Sequence, residues 1–133
     1  ETALIENVSA GSYVNYTNKI LVGAEVIRHD GSVIAPAGTS LLAMAAIYAK
    51  VPFYVICESL NFNMFPDEKE LNLEPRRAFQ RKTRTKPLSD VLLRAYQYDL
   101  TPSELVTGYI TENGIIQPDE IEALTSRNSS QDL

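Results

Sequence analysis

The sequence contains no tryptophan, one histidine, one cysteine and two methionines in 133 residues. A single thiol, Cys57, cannot close an internal disulfide. That argues against a disulfide-stapled secreted scaffold and leads us to expect a reducing, cytoplasmic setting. With His29 as the lone imidazole, no His/Cys cluster has metal-ligand spacing, so no metal and no cofactor are expected. No apolar run approaches the roughly 20 residues that span a bilayer. Positive charge is also short: 12 Lys and Arg stand against 17 Asp and Glu, a net charge of −5. This argues against direct DNA binding and against an anionic membrane surface. Neither a GxGxxG fingerprint nor a Walker loop occurs.

What is present is ordinary for a globular chain, at 44% hydrophobic and 22% charged residues. One domain over residues 1–125 is expected, with a long loop at 61–89 and a polar tail at 126–133. The chain opens on Glu1 rather than methionine, and we expect it to be part of something longer.

"TALIENVSAGSYVNY" has apolar residues at helical spacing. "KILVGAEVI" is a short β-branched run that predicts a buried strand over Ile20–Ala24. His29-Asp30-Gly31-Ser32 is a turn signal. Gly38 then precedes Thr39 and Ser40, which are good helix caps, and "LLAMAAIYAK" predicts a core helix over about Ser40–Lys50. Val51-Pro52 stops it, and "FYVIC" predicts a second strand over Phe53–Cys57. Strand, helix and strand within about 40 residues make a βαβ unit, hence an α/β fold with a parallel sheet. From Asn61 to about Pro87 periodicity is lost. Acidic residues come first, then Arg76, Arg77, Arg81, Lys82, Arg84 and Lys86 without an intervening acid. We read this stretch as a mobile, solvated loop or as an arm for an acidic partner or RNA. A short strand near Ala95–Tyr98 follows. Thr101, Pro102 and Glu104 then match a capping box that opens a helix, which Asn113-Gly114 would close. Pro118 opens a last small helix.

A parallel sheet holds its ligand crevice at the carboxyl ends of its strands. Those ends carry Glu25 and Glu58, and the helix start at Gly38, Thr39 and Ser40 offers N–H groups suited to a phosphate. His29 reads as an exposed turn residue rather than a base, and Cys57 as a core residue rather than a nucleophile. Four apolar residues beyond the second strand, Leu60, Phe62, Met64 and Phe65, are candidates for an interface, with Tyr98 and Asp99 placed beside them. The alternative is that Phe62 and Phe65 fold back onto the domain's own core.

The order "VGAE … DG … AGTS … LLAMAA … PFYVICESLNF … MFP … YDLTPSELVTGYITENGII" resembles the carboxyl-terminal domain of one superfamily. It holds methylthioribose-1-phosphate isomerase, ribose-1,5-bisphosphate isomerase and the regulatory alpha, beta and delta subunits of translation initiation factor 2B. The likeness runs from about Ile20 to Ile116, interrupted at 66–90; "PFYVICESLNFNMFP" is most alpha-like, "CESLNF" and "YDLTPSEL" also resemble delta, and the Ala-Pro-Ala-Gly-Thr loop resembles beta. It implies a Rossmann-like parallel sheet flanked by helices, forming the carboxyl-terminal domain of a longer two-domain protein whose other domain is helical. The isomerases carry a catalytic aspartate where this chain has Glu25. They also carry Asn-Lys on the substrate phosphate where it has Ala35-Pro36, and no residue here matches their upstream catalytic cysteine. The resemblance therefore implies a regulatory subunit domain with no catalytic residue. Its partners would be sibling subunits and translation initiation factor 2, in a homo- or hetero-oligomer that exchanges guanine nucleotide and senses phosphorylation. The alternatives are half of a sugar-phosphate isomerase, or a module that binds a sugar phosphate or nucleotide for regulation.

Overall fold

The computed structural model describes residues 2–62, 76–77, 94–121 and 123. Two strands form where the apolar runs predict them, β1 (Ile20–Gly23) and β4 (Phe53–Ile56). They pair in parallel, with Ile20 opposite Phe53 and Val22 opposite Val55. The helix between them, α2, spans Thr39–Ala49 and follows a helical turn, α1, at Ala10–Tyr13. The Val51-Pro52 stop acts as expected: α2 ends in a left-handed cap at Lys50, with φ of 57°. A third parallel strand, β8 (Gly108–Thr111), lies on the other side of β4, and β9 (Gly114–Ile116) folds back against it antiparallel. The sheet order is β1-β4-β8-β9.

Ile20, Phe53, Val55 and Tyr109 point to one face of this sheet and pack with Ala43 and Ala46 of α2, together with Val14 and Ile121. Alanines on the inner side of α2 let the helix approach the sheet closely. Its other sides are open: Leu41, Met44, Ile47 and Tyr48 are all more than half exposed. The core helix expected over about Ser40–Lys50 is present, but it packs through its alanine side alone.

A second, antiparallel sheet interrupts the βαβ unit. It comprises β2 (Val26–Ile27), β3 (Val33–Pro36) and β7 (Tyr98–Thr101), in that order. The Asp30-Gly31 turn is therefore the tip of a hairpin. Gly31 has φ of +80°, and a Cβ placed there would lie 3.0 Å from Ser103 Cβ. The Tyr109 hydroxyl donates a hydrogen bond to the Gly31 carbonyl, pinning the turn to the core. Asp30 accepts the Ser32 N–H at 2.9 Å and the Ser32 hydroxyl at 2.6 Å. Burial alone would push its carboxyl up, but these bonds, with Arg28 and His29 nearby, outweigh burial and hold it below the usual range.

Two expectations downstream are corrected. The helix expected from Thr101 does not form. Thr101 ends β7 and is fully buried, and its hydroxyl has no hydrogen-bond partner among the described residues. Only a 3-10 turn at Ser103–Leu105 follows, before β8. The β-branched run in "VTGYIT" favours a strand over helical propensity. Asn113-Gly114 is accordingly a hairpin turn, with Gly114 at φ of +118°, and not a helix end. A capping box does occur, at Gln117 and Glu120 around the 3-10 turn Pro118–Glu120. The strand expected near Ala95–Tyr98 is split between β6 (Arg94–Ala95) and β7. β6 pairs antiparallel with β5 (Arg76–Arg77), inside the stretch expected to be a loop. The rest of that stretch and the tail at 126–133 lie outside the described residues. Among the described residues no helix is long and apolar enough to cross a membrane.

Candidate functional site

The carboxyl ends of β1, β4 and β8 meet at one rim of the parallel sheet. β1 ends on Gly23 and leads into Ala24-Glu25, Cys57-Glu58-Ser59 follows β4, and Glu112 follows β8. Asn61, which sequence reasoning missed, ties two of these ends together. Its side-chain oxygen accepts the Glu58 N–H at 2.7 Å and its amide donates to the Glu25 carbonyl at 3.0 Å. Glu112, also missed, links the third: its carboxylate accepts the Ser59 N–H at 3.0 and 3.3 Å. Hydrogen bonds from the Ser59 side chain and backbone hold the Glu112 carboxyl below its usual range. Both residues are polar and lie beyond a strand end. The Asn61 signal could have been found in "ESLN", where a 3-10 turn at Ser59–Phe62 returns the amide to the strand ends.

Cys57 sits in this rim but is half-buried. Burial, with Glu112 nearby, pushes its thiol up to about 11, so it stays protonated at neutral pH. This agrees with reading Cys57 as a packing residue. His29 is exposed at the hairpin tip, beyond Ile27 of β2, and is not part of the rim.

The helix start was expected to offer free N–H groups to a phosphate, and the structure places Asp99 there. The Gly38 N–H donates to Asp99 Oδ2 at 2.7 Å, and the Ser40 N–H approaches both carboxylate oxygens at 3.3 Å. The Ser40 hydroxyl donates to Oδ2 at 2.9 Å. Gly38 adopts φ of +106°, which a side-chain-bearing residue would resist, and this turns its N–H toward the carboxylate. The Thr39 hydroxyl is used elsewhere, donating to the Pro36 carbonyl at 2.7 Å. The helix terminus is thus occupied by an anion of the same chain, carried by β7, which pairs with β3 at Ala35 and Asp99.

Ala35 is fully buried within β3 and Pro36 pairs with Tyr98, so this segment offers neither cation nor amide side chain to the rim. Among the described residues no group of three or more His, Cys, Asp or Glu side chains could hold a metal.

The interface candidates separate. Leu60 is 66% exposed, whereas Phe62 is 8% exposed and meets Tyr109 edge-on, with centroids 6.0 Å apart and planes at 67°. Phe62 therefore belongs to the core, because the 3-10 turn folds it inward, and it is not an exposed anchor. Tyr98 is half-buried in β7 and Asp99 caps α2. Met64 and Phe65 lie outside the described residues.

Residues 1–118 match the family model described as the Initiation factor 2 subunit family. A relative from Pyrococcus furiosus, named as translation initiation factor eIF-2B subunit 2-like, is 33% identical over 118 residues, covering 89% of this chain and 40% of its own length. A Methanocaldococcus jannaschii relative, named as a methylthioribose-1-phosphate isomerase, is 37% identical over 111 residues, covering 80% of this chain and 33% of its own. Among solved structures, the Pyrococcus horikoshii OT3 translation initiation factor eIF-2B superposes with a TM-score of 0.71 at 32% identity, over 89% of this chain and 40% of that one. A 5-methylthioribose 1-phosphate isomerase from the same organism gives a TM-score of 0.71 over 98% of this chain and 37% of its own, but at 20% identity the likeness is one of fold alone. The chain thus spans well under half the length of the curated relatives it matches.

Proposed function

We propose, from the premise that this chain belongs to the Initiation factor 2 subunit family, that it is a non-catalytic regulatory domain of the exchange factor for translation initiation factor 2. The observation that carries this reading is electrostatic. Glu25, Glu58 and Glu112 stand along the strand-end rim, and Asp99 holds the Gly38 and Ser40 N–H groups at the start of α2. A phosphate dianion entering there would meet carboxylates, and would have to displace Asp99 to reach the Gly38 and Ser40 N–H groups. The Ala35-Pro36 segment supplies no compensating cation. The thiol in the rim is protonated and unsuited to nucleophilic attack.

On this reading the domain works through protein surfaces, within an assembly of sibling subunits in the cytoplasm. Its role is to transmit the phosphorylation state of initiation factor 2 to nucleotide exchange. The test is to isolate the native assembly, deplete this subunit, and follow guanine-nucleotide release from phosphorylated and unphosphorylated initiation factor 2. Basal release should persist and the response to phosphorylation should be lost. Recovery of the protein with no sibling subunit, or an unchanged response on depletion, would contradict the reading.

A further inference from the structure

Two dipeptides place a glycine directly after a side chain that can close a ring onto the next backbone nitrogen. They are Asp30-Gly31 and Asn113-Gly114, and Asn113 is the only one of the eight asparagines that precedes glycine. Both pairs turn a hairpin, so local sequence does not distinguish them. Their surroundings do. The Asp30 carboxylate is held by the Ser32 N–H at 2.9 Å and the Ser32 hydroxyl at 2.6 Å. A Cβ at Gly31 would lie 3.0 Å from Ser103 Cβ, and the Gly31 carbonyl accepts from the Tyr109 hydroxyl. Ring closure there would have to break these contacts. Asn113 and Gly114 are both exposed, and among the described residues nothing lies within 4 Å of a Cβ placed on Gly114. The Asn113 side-chain amide donates at 3.2 Å to Glu112 Oε1, itself on an exposed residue.

We infer that Asn113-Gly114 is a site of spontaneous deamidation, and that the modified turn releases Glu112 from the loop after β4. The Gly114 amide nitrogen loses its proton to solvent base and attacks Asn113 Cγ. A C–N bond forms, the bond from Cγ to Nδ2 breaks, and ammonia leaves with a proton taken from water. Water then opens the resulting succinimide. Opening at Cγ gives aspartate on the original backbone. Opening at the main-chain carbonyl gives isoaspartate, in which the backbone runs through Cβ and Cγ and is longer by one carbon. Water is the only co-reactant. Glycine favours the closure because its backbone torsions are free and no side chain shields its nitrogen.

The contacts of this turn give the product its consequence. The Thr111 hydroxyl accepts from the Asn113 N–H at 3.1 Å and donates to the Gly114 carbonyl at 3.0 Å. It bridges the segment that isoaspartate lengthens, so the two bonds no longer fit together. Loop length sets hairpin register, so the pairing of Thr111 with Gly114 and of Ile110 with Ile115 is strained as well. The Glu112 carboxylate is shared: it accepts from the Asn113 amide on Oε1, and from the Ser59 N–H at 3.0 and 3.3 Å. Either product replaces that amide donor with a second carboxylate beside Glu112. The Ser59 contact joins Glu112, beyond β8, to the loop after β4, and this side of the rim therefore loosens as the protein ages. Asn61 still ties the Glu25 and Glu58 loops together. The chemistry is the same in a regulatory and in a catalytic protein, so the inference fails independently of the proposed function.

The test ages the full-length protein at neutral and at mildly alkaline pH, and locates the products by peptide mass spectrometry and isoaspartyl methyltransferase labelling. Acid at position 113 should accumulate about tenfold or more faster than at Asn7, Asn15 and Asn18, whose following residues all carry side chains. The rate should rise with pH, Asp30 should show no isoaspartate, and Asn113→Ser should abolish the signal at 113. In the isoaspartyl fraction the Ser59 N–H should exchange severalfold faster than in fresh protein. The increase should be smaller in Asn113→Asp, which adds the charge without the extra carbon. Deamidation at 113 no faster than at the other three asparagines overturns the inference, as does isoaspartate at Asp30 in equal amount. Rapid deamidation with unchanged Ser59 exchange also overturns it. The ageing arm needs no substitution, so a variant that fails to fold leaves these readings intact.

Discussion

Replacing Asp99 should cost stability out of proportion to its partial exposure. Its carboxylate accepts from three donors, the Gly38 N–H at 2.7 Å, the Ser40 hydroxyl at 2.9 Å and the Ser40 N–H at 3.3 Å, and it lies at the positive end of an 11-residue helix. Losing an N-cap side chain costs about 0.5–2 kcal/mol. A charge at a helix terminus adds roughly 0.3–1 kcal/mol where solvent reaches it. Water can re-solvate the freed donors, so these contributions do not reach their upper limits together. For Asp99→Ala we expect a loss of about 2 kcal/mol. Asp99→Asn keeps an acceptor but not the charge, so about half that loss is expected. The assay is urea unfolding, with the midpoint shifting and the slope unchanged, and amide exchange should accelerate at Gly38 and Ser40 before it does elsewhere. Both variants within about 0.5 kcal/mol of the parent, the ordinary scatter for surface changes, would refute the assignment of Asp99 as the helix cap. Equal losses in the two variants would show that its charge is irrelevant.

Three further outcomes are expected. Gly31→Ala should destabilise the chain by roughly 1–3 kcal/mol in the same assay, because the residue sits at φ of +80° and its Cβ would meet Ser103 at 3.0 Å and the Tyr109 hydroxyl at 3.2 Å. Phe62→Ser should lower the unfolding midpoint by an amount equivalent to about 3 kcal/mol, as truncation of a buried aromatic does, whereas a sedimentation change without loss of stability would return Phe62 to an interface. Cys57 should react with iodoacetamide only as pH approaches about 11. Its raised folded pKa also fixes the sign of the linkage: the contribution is fully present below the ordinary value of 9.0 and is lost as pH rises through about 11. Replacing Glu112 by Gln should move the reactivity profile to lower pH.

The parallel core was legible because Ile20–Gly23 and Phe53–Ile56 are short apolar runs with a clear helix between them. The antiparallel sheet was not. β2 is two residues long, and the Asp30-Gly31 signal predicts a turn without revealing the strands on either side of it. The Thr101 capping box failed because a local pattern of hydroxyl, proline and carboxylate cannot reveal that Val33 pairs with Thr101 across 68 residues of sequence. The Asn113-Gly114 pair is a hairpin signal in its own right, and it turns β8 into β9. At the site, strand ends are readable from sequence, so Glu25 and Glu58 were found. Asp99 at the helix terminus, Asn61 between two strand ends and Glu112 against Ser59 depend on contacts 36 or more residues apart, which no local spacing encodes.

The measurement that bears most directly on the proposed absence of catalysis is turnover of methylthioribose 1-phosphate and ribose 1,5-bisphosphate by the longer polypeptide, followed as aldose loss and ketose gain. No conversion above the uncatalysed rate is expected with either substrate, since carboxylates line the rim and Asp99 holds the Gly38 and Ser40 N–H groups. Turnover above about 1 per second, within the ordinary enzyme range, would contradict it and make this chain part of an isomerase.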